Sequence, residues 1–556
     1  MSTLPPGAED PTVVATAPDE HRGSFLVAAG ILLSRLAGLL REVAASAYLG
    51  VGVGADAFRA ALRIPNLLQN LLGEGVLSAS FIPVYARLLD QDRREAGRVA
   101  GAVAGLLCAA AGVLVVLGMV LARPLTLIFT PGFEGERLDL AEDLLRIMFP
   151  GIGFLVLSAW CLGILNSHRH FFLSYVAPVL WSFAQIAIVV AAAVLGASEA
   201  GIATALAWGV VVGGLLQFVV QVPAVRRLTR GLRLSVDRSS PEVQEVIRRF
   251  TPVVVGRGVI QLLTYLELVL ASLLAVGAVS ALAYAQVIYL LPISLFGMAV
   301  AAAELPELAR LGRAGRARIR ARLATGMARV SFYVAPTVAV YVLAGDVVVR
   351  ALLQRGEFDA GDTRLVWLTL AAFSLGLLAT TRSRLLQNGL YALDRTRLVA
   401  RIAVARGIVA VVVGGLLMFP LDRFGLEGSA IVRDGGLGFG PLPDGVADIP
   451  RLGVMGLAIG SAVASWFEYA VLRGALQWRV GPLPRRSDAE RWTLLAALAA
   501  GVLAMGIRAN VESLPSIVAA ALVGAPALAV YLLITTTMQV PEATTLVGRA
   551  RRLVGR

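Results

Sequence analysis

Between Ser34 and Gly75 the chain reads SRLAGLLREVAASAYLGVGVGADAFRAALRIPNLLQNLLGEG, two apolar segments split by a glycine-rich break. The stretch nonetheless carries Arg35, Arg41, Glu42, Asp56, Arg59, Arg63 and Glu74. An excess of guanidinium groups in apolar surroundings points to recognition of an anion, because the planar fork suits bidentate binding of phosphate or carboxylate. At 100° per residue, Asp56, Arg59, Arg63, Asn66, Asn70 and Glu74 fall within one arc about 80° wide. The arc rises about 27 Å, close to the roughly 30 Å of a bilayer's hydrocarbon core. Each ionisable side chain facing lipid there costs about 2.5–3.5 kcal/mol, so the stripe must face protein or water. Two arrangements satisfy that requirement: internal pairing, for instance Asp56 with Arg59, or the wall of a hydrated cavity. Arg35 and Arg41 against a single Glu42 add net positive charge beside the stripe, which favours a cavity for an anionic ligand.

Other polar residues extend the candidate substrate-binding set. Gln69 lies on the same helix as the stripe, Arg257 shares a face with Gln261 and Thr264 on helix seven, and Gln286 stands between Tyr284 and Tyr289 on helix eight. Catalytic signatures are missing from the chain: no phosphate-binding loop, nucleophile elbow or HExxH occurs. His168 and His170 sit two apart in a loop, a poor metal geometry, and Cys108 and Cys161 lie in separate apolar runs. No catalytic residue, metal or cofactor is therefore expected. Without a nucleotide site, transport would run on an ion gradient, the membrane potential or the substrate's own gradient.

The elements that position these residues follow from composition. Of 556 residues 57% are hydrophobic and 16% charged, the net charge is +13 with no lysine, and the mean hydropathy is +0.77. These values describe an all-α polytopic membrane protein and not a nucleic-acid-binding one. Apolar runs predict about fourteen transmembrane helices, the first retained as an anchor. Basic loops near 87–98, 226–238, 310–322 and 479–492 alternate with neutral or acidic ones, which places both termini in the cytoplasm.

FIPVYARLL (81–89) recurs as ELPELARLG (304–312) and LIFTPGFEG (127–135) as LLQRGEFDA (352–360). That internal repeat predicts two six-helix lobes plus two C-terminal helices, with the site between the lobes. The expected organisation is a polar tail (1–24), an N-lobe (25–238), a C-lobe (239–480) with an outer loop insertion (420–451), and the last two helices with a basic tail (481–556).

The motifs SRLAGLLREV, GADAF, RIPNLLQNLLGEGVLSASFIPVYARLL and LLQRGEFDAGDT, with the helix count, make the chain resemble the MurJ/MviN family. These are the lipid II flippases of peptidoglycan synthesis, in the MOP exporter superfamily. The resemblance implies two lobes around a V-shaped cationic cavity and an apolar groove from helices thirteen and fourteen. It also implies movement of an undecaprenyl-diphosphate-linked disaccharide pentapeptide from the inner to the outer leaflet of the bacterial inner membrane by alternating access. Arg35, Arg41, Glu42 and Asp56 match the family's charged positions, whereas Gln69 and Val287 stand where it usually has arginines and Arg59 where it has an apolar residue.

The implied partners are lipid II or a related polyprenyl-diphosphate glycolipid, the membrane, and cell-wall synthesis proteins, with the chain acting as a monomer. Alternatives are a flippase for another polyprenyl-diphosphate-linked glycan and a transport-inactive scaffold of the same fold.

Overall fold

The structure is a computed structural model that describes residues 18–297, 316–428, 430–433, 438–442, 449–483 and 488–554. The copy of the repeat at 304–312 lies outside the described residues.

Long apolar runs fold into helices because backbone groups in lipid must bond within their own segment. In chain order the first half comprises α1 (Pro18–Leu49), α2 (Val53–Leu72), α3 (Glu74–Ser80), α4 (Ile82–Gln91), α5 (Arg93–Val120), α6 (Ala122–Phe129), α7 (Gly135–Ser167), α8 (Phe171–Val194) and α9 (Glu199–Leu228). The rest comprises α10 (Pro241–Ser272), α11 (Ala278–Pro292), α12 (Arg316–Leu353), α13 (Ala360–Ser374), α14 (Leu377–Tyr391), α15 (Thr396–Asp422), α16 (Gly453–Val480), α17 (Asp488–Arg508), α18 (Ser516–Thr537) and α19 (Pro541–Val554). An antiparallel hairpin of β1 (Phe424–Glu427) and β2 (Ala430–Arg433) follows α15, so part of the expected loop insertion is ordered.

Starts are set by local chemistry. Asp92 accepts hydrogen bonds from the first-turn N–H groups of Arg94 and Glu95, and Asp359 and Asp362 form a reciprocal capping box on α13.

Among the described residues, eleven helices are long and apolar enough to cross a membrane, or twelve if the pair α13 and α14, bent by 41°, forms one span. The fourteen spans expected from the sequence are not all recovered on that measure; α1 and α10 stand outside the count. Large apolar side chains left outward, such as Val116, Val120, Ile128 and Leu533, make the surface that lipid covers.

The bundle differs at its two ends. At the end bearing the hairpin, one continuous core joins the halves: Leu49, Phe58 and Phe133 of the first pack in the same cluster as Leu274, Phe358 and Leu452 of the second. At the opposite end, where the arginine-rich loops lie, the cores separate. Leu77, Val84 and Val99 belong to one cluster, joined by Val243 and Val246 of α10, while Ile319, Leu386 and Leu476 form another.

Hydrogen bonds seal the hairpin end. Glu357 N–H donates to the Ala47 carbonyl (2.9 Å), Val51 N–H to Asp362 Oδ2 (3.1 Å) and Gly132 N–H to Ser272 Oγ (3.4 Å). Gly356, at φ +59°, brings its backbone against the Ala47 carbonyl with no room for a Cβ. Gly356→Ala is expected to lower stability by more than the roughly 1–2 kcal/mol of the left-handed backbone alone, because a steric clash is added. Thermal unfolding of the detergent-solubilised protein checks it.

Candidate anion site at the seam

The stripe read from the sequence is divided by the fold. α2 ends at Leu72, and Glu74 opens the separate helix α3 after Gly73, so Glu74 does not continue the α2 face; its side chain, like that of Arg257 on α10, lies outside the described ones. The remaining residues fall into three groups along α2.

Nearest the hairpin end, Asp56 is fully buried. It does not pair with Arg59. Its Oδ2 accepts from Arg137 of α7 (2.6 Å) and from Gly277 N–H (2.8 Å), and its Oδ1 from Ser280 N–H (2.7 Å). Asp56 therefore supplies the anion at the N-terminus of α11, across the seam between the halves. Gly277 is the residue that admits this approach: its φ of +89° is a left-handed conformation that favours glycine. The Arg137 guanidinium also lies 3.8 Å from the Phe133 ring centre, so the two charges are paired with each other within protein.

One turn further on, Arg59 and Arg41 converge on Glu42. Arg41 donates to Oε1 at 2.5 Å, and Arg59 is ion-paired with Oε2 at 2.5 Å. Two guanidinium groups thus share one carboxylate. Each also stacks on an aromatic ring, Arg41 at 4.5 Å over Trp181 of α8 and Arg59 at 4.6 Å over Tyr284 of α11.

Beyond them, Arg63 donates to Gln286 Oε1 (2.6 Å), whose amide donates to Glu267 Oε2 (3.0 Å), and Tyr265 OH donates to the Arg63 carbonyl (2.6 Å). Arg35 lies exposed on α1. At the seam itself three arginines, Arg41, Arg59 and Arg63, stand with two carboxylates, Glu42 and Glu267, so among these described side chains one positive charge is uncompensated. Burial in a low-dielectric seam makes an incoming anion more strongly attracted there than at a wet surface.

The last part of α2 changes character. Asn66, Gln69 and Asn70 line a cavity of about 650 Å³ together with Ser78, Ser158, Trp181 and Gln217, all from the first half of the chain. A second cavity of about 450 Å³ is apolar, bounded by Phe332, Pro336 and Val340 of α12 and Leu528, Tyr531 and Leu532 of α18.

Sequence reasoning named Arg41, Glu42, Arg59, Arg63 and Gln286, and the fold brings them to one seam. It missed Arg137 and Trp181. Arg137 carried a signal, being the one arginine between Gly132 and Asp143 in an otherwise acidic segment. Arg382 of α14 is buried between Ser331 and Glu490. His168, outside the spans, faces Tyr85 OH at 3.0 Å, and burial, with His170 and Arg93 nearby, holds its pKa below the ordinary value.

The profile of the family described as "Lipid II flippase MurJ" matches residues 45–433. A probable lipid II flippase MurJ of Rhizobium tropici is 33% identical over 82% of this chain and 81% of that protein. Among solved structures, a lipid II flippase MurJ in an inward closed conformation superposes with a TM-score of 0.71 at 19% identity, covering 96% of this chain and all of that one. An inward-facing multidrug MATE transporter of the MOP superfamily superposes at 0.59 and 16% identity, covering 80% and 94%. With the profile spanning most of the chain and a relative of that identity along most of its length, the chain belongs to the MurJ lipid II flippase family.

Proposed function

We propose that this protein is a membrane transporter that carries a polyprenyl-diphosphate-linked glycan, lipid II, from the cytoplasmic to the outer leaflet, with the diphosphate held at the Arg41–Glu42–Arg59 cluster. The observation that carries this reading is the net positive charge at the seam between halves. A diphosphate diester is the anion that a membrane-dissolved substrate of this family brings to such a site, and arginine forks match its oxygens.

In this reading the parted end, which carries the arginine-rich loops, faces the cytoplasm as the positive-inside rule expects, so substrate enters there while the hairpin end is sealed. Arg59 and Arg63 contact Tyr284 and Gln286 of α11. Neutralising these arginines therefore alters contacts between the halves as well as within one of them. That differential interaction is what a ligand needs to shift a two-state equilibrium. Outward opening would break the bonds at Ala47, Val51 and Asp56. The apolar cavity between α12 and α18 is suited to the polyprenyl chain.

Gln69 and Val287, in place of family arginines, favour a second reading, in which a related glycan is carried on the same diphosphate. The test is complementation: expressed in cells depleted of their own lipid II flippase, the wild-type protein is expected to sustain growth, and Arg41→Ala and Arg63→Ala are not. Growth with both variants would remove the arginines from their assigned role.

A further inference from the structure

The cavity at the end of α2 differs chemically from the charged seam beside it. Its polar lining consists of three amides from α2 (Asn66, Gln69, Asn70), the Gln217 amide and the hydroxyls of Ser78 and Ser158; among the described residues that line it, none is charged. Gln217 is fixed by donating to Ser158 Oγ at 3.0 Å, whereas the side-chain amides of Asn66, Gln69 and Asn70 have no hydrogen-bond partner among the described residues. An amide both donates and accepts, so such a wall matches a ligand rich in hydroxyl and acetamido groups. It disfavours a carboxylate or ammonium, which would be desolvated without a counter-charge, and an apolar chain, which would leave amides unpaired. A volume of about 650 Å³ falls in the range of small-molecule sites, about 300–1,000 Å³.

The two sites meet at one residue. Trp181 lines the cavity and also carries the Arg41 guanidinium 4.5 Å from its ring centre. A group bound at Arg41 and a group bound in the cavity are thus held on adjoining surfaces, the order in which a diphosphate and its first sugar are joined.

We propose that this amide-lined cavity is the glycan subsite, taking an uncharged, N-acetylated sugar joined to the diphosphate. The proposal rests on the polyprenyl-diphosphate reading above. Gln69 then has a role where an arginine would not serve: it faces neutral sugar, not phosphate.

The full-length protein in nanodiscs would be titrated with lipid II and with undecaprenyl diphosphate lacking any sugar, for wild type, Asn70→Leu, Gln217→Leu and Arg41→Ala. Asn70 is exposed, so its substitution spares the packed core. Asn70→Leu and Gln217→Leu are expected to weaken lipid II binding about tenfold, the worth of one lost polar contact, and to leave undecaprenyl diphosphate within about twofold. Arg41→Ala weakens both ligands. If the cavity variants leave both affinities unchanged, or weaken both equally, the glycan subsite is overturned while the diphosphate reading stands. If the wild-type protein binds neither ligand, the diphosphate reading falls and the subsite with it.

Discussion

Asp56→Ala is expected to destabilise the protein by about 3–5 kcal/mol, the effect of removing one partner from a buried ion pair. The carboxylate is fully buried and accepts from Arg137, Gly277 N–H and Ser280 N–H. Without it the Arg137 guanidinium stays buried and unpaired, and the first turn of α11 loses its anion. Asp56→Asn keeps one acceptor oxygen and is expected to fall less. Adding Arg137→Leu to Asp56→Ala removes the orphaned charge and should recover part of the loss, but not the part owed to α11. Thermal unfolding of the four proteins in one detergent measures this order. Equal melting temperatures for wild type and Asp56→Ala would mean that the seam is not held there.

Glu42→Gln is expected to have the largest effect on transport. It removes the one carboxylate between Arg41 and Arg59, the latter only 8% exposed, leaving two guanidinium groups facing each other in a low-dielectric seam. Like charges so placed destabilise the empty protein by several kcal/mol. An anionic ligand supplies the missing counter-charge, so the variant should melt well below wild type when lipid-free and regain much of the difference when lipid II is added, because a ligand that binds only the folded state stabilises it. Transport is expected to fail nonetheless, because without the Glu42 carboxylate the two arginines have no counter-charge to exchange for the departing anion. Glu42→Asp, which keeps the charge, is expected to retain part of the activity. A Glu42→Gln protein that complements like wild type would contradict this role.

How much of this was legible in the sequence depended on how local each cause is. The α2 stripe could be read because its spacing repeats within one helix, and the clustering of Arg41 with Glu42 because the residues are neighbours. The break at Gly73 could not be read, since apolar residues continue on both sides of it. Charge pairing was misassigned where the partner is distant. Arg59 lies three residues from Asp56 but pairs with Glu42 on α1, and Asp56 pairs 81 residues along the chain with Arg137. Helical spacing gives candidate pairs, and packing between helices chooses among them. Trp181 carried no signal, because one tryptophan in an apolar helix is ordinary; only its place against Arg41 and the cavity gives it meaning. The tail after α18 was read as basic chain, whereas Pro541–Val554 is the helix α19, with Ala543 packed against the last spans.

The decisive measurement is direct binding of a polyprenyl-diphosphate lipid to the purified protein and to Arg41→Ala, each with its melting temperature taken alongside. Arg41 is half-buried and shares Glu42 with Arg59, so its removal leaves the Arg59–Glu42 pair in place and should leave folding intact. The predicted result is affinity lowered about tenfold or more, the worth of a charge-assisted contact, at an unchanged melting temperature. Unchanged affinity in a folded Arg41→Ala protein would contradict the assignment of the seam arginines to the diphosphate.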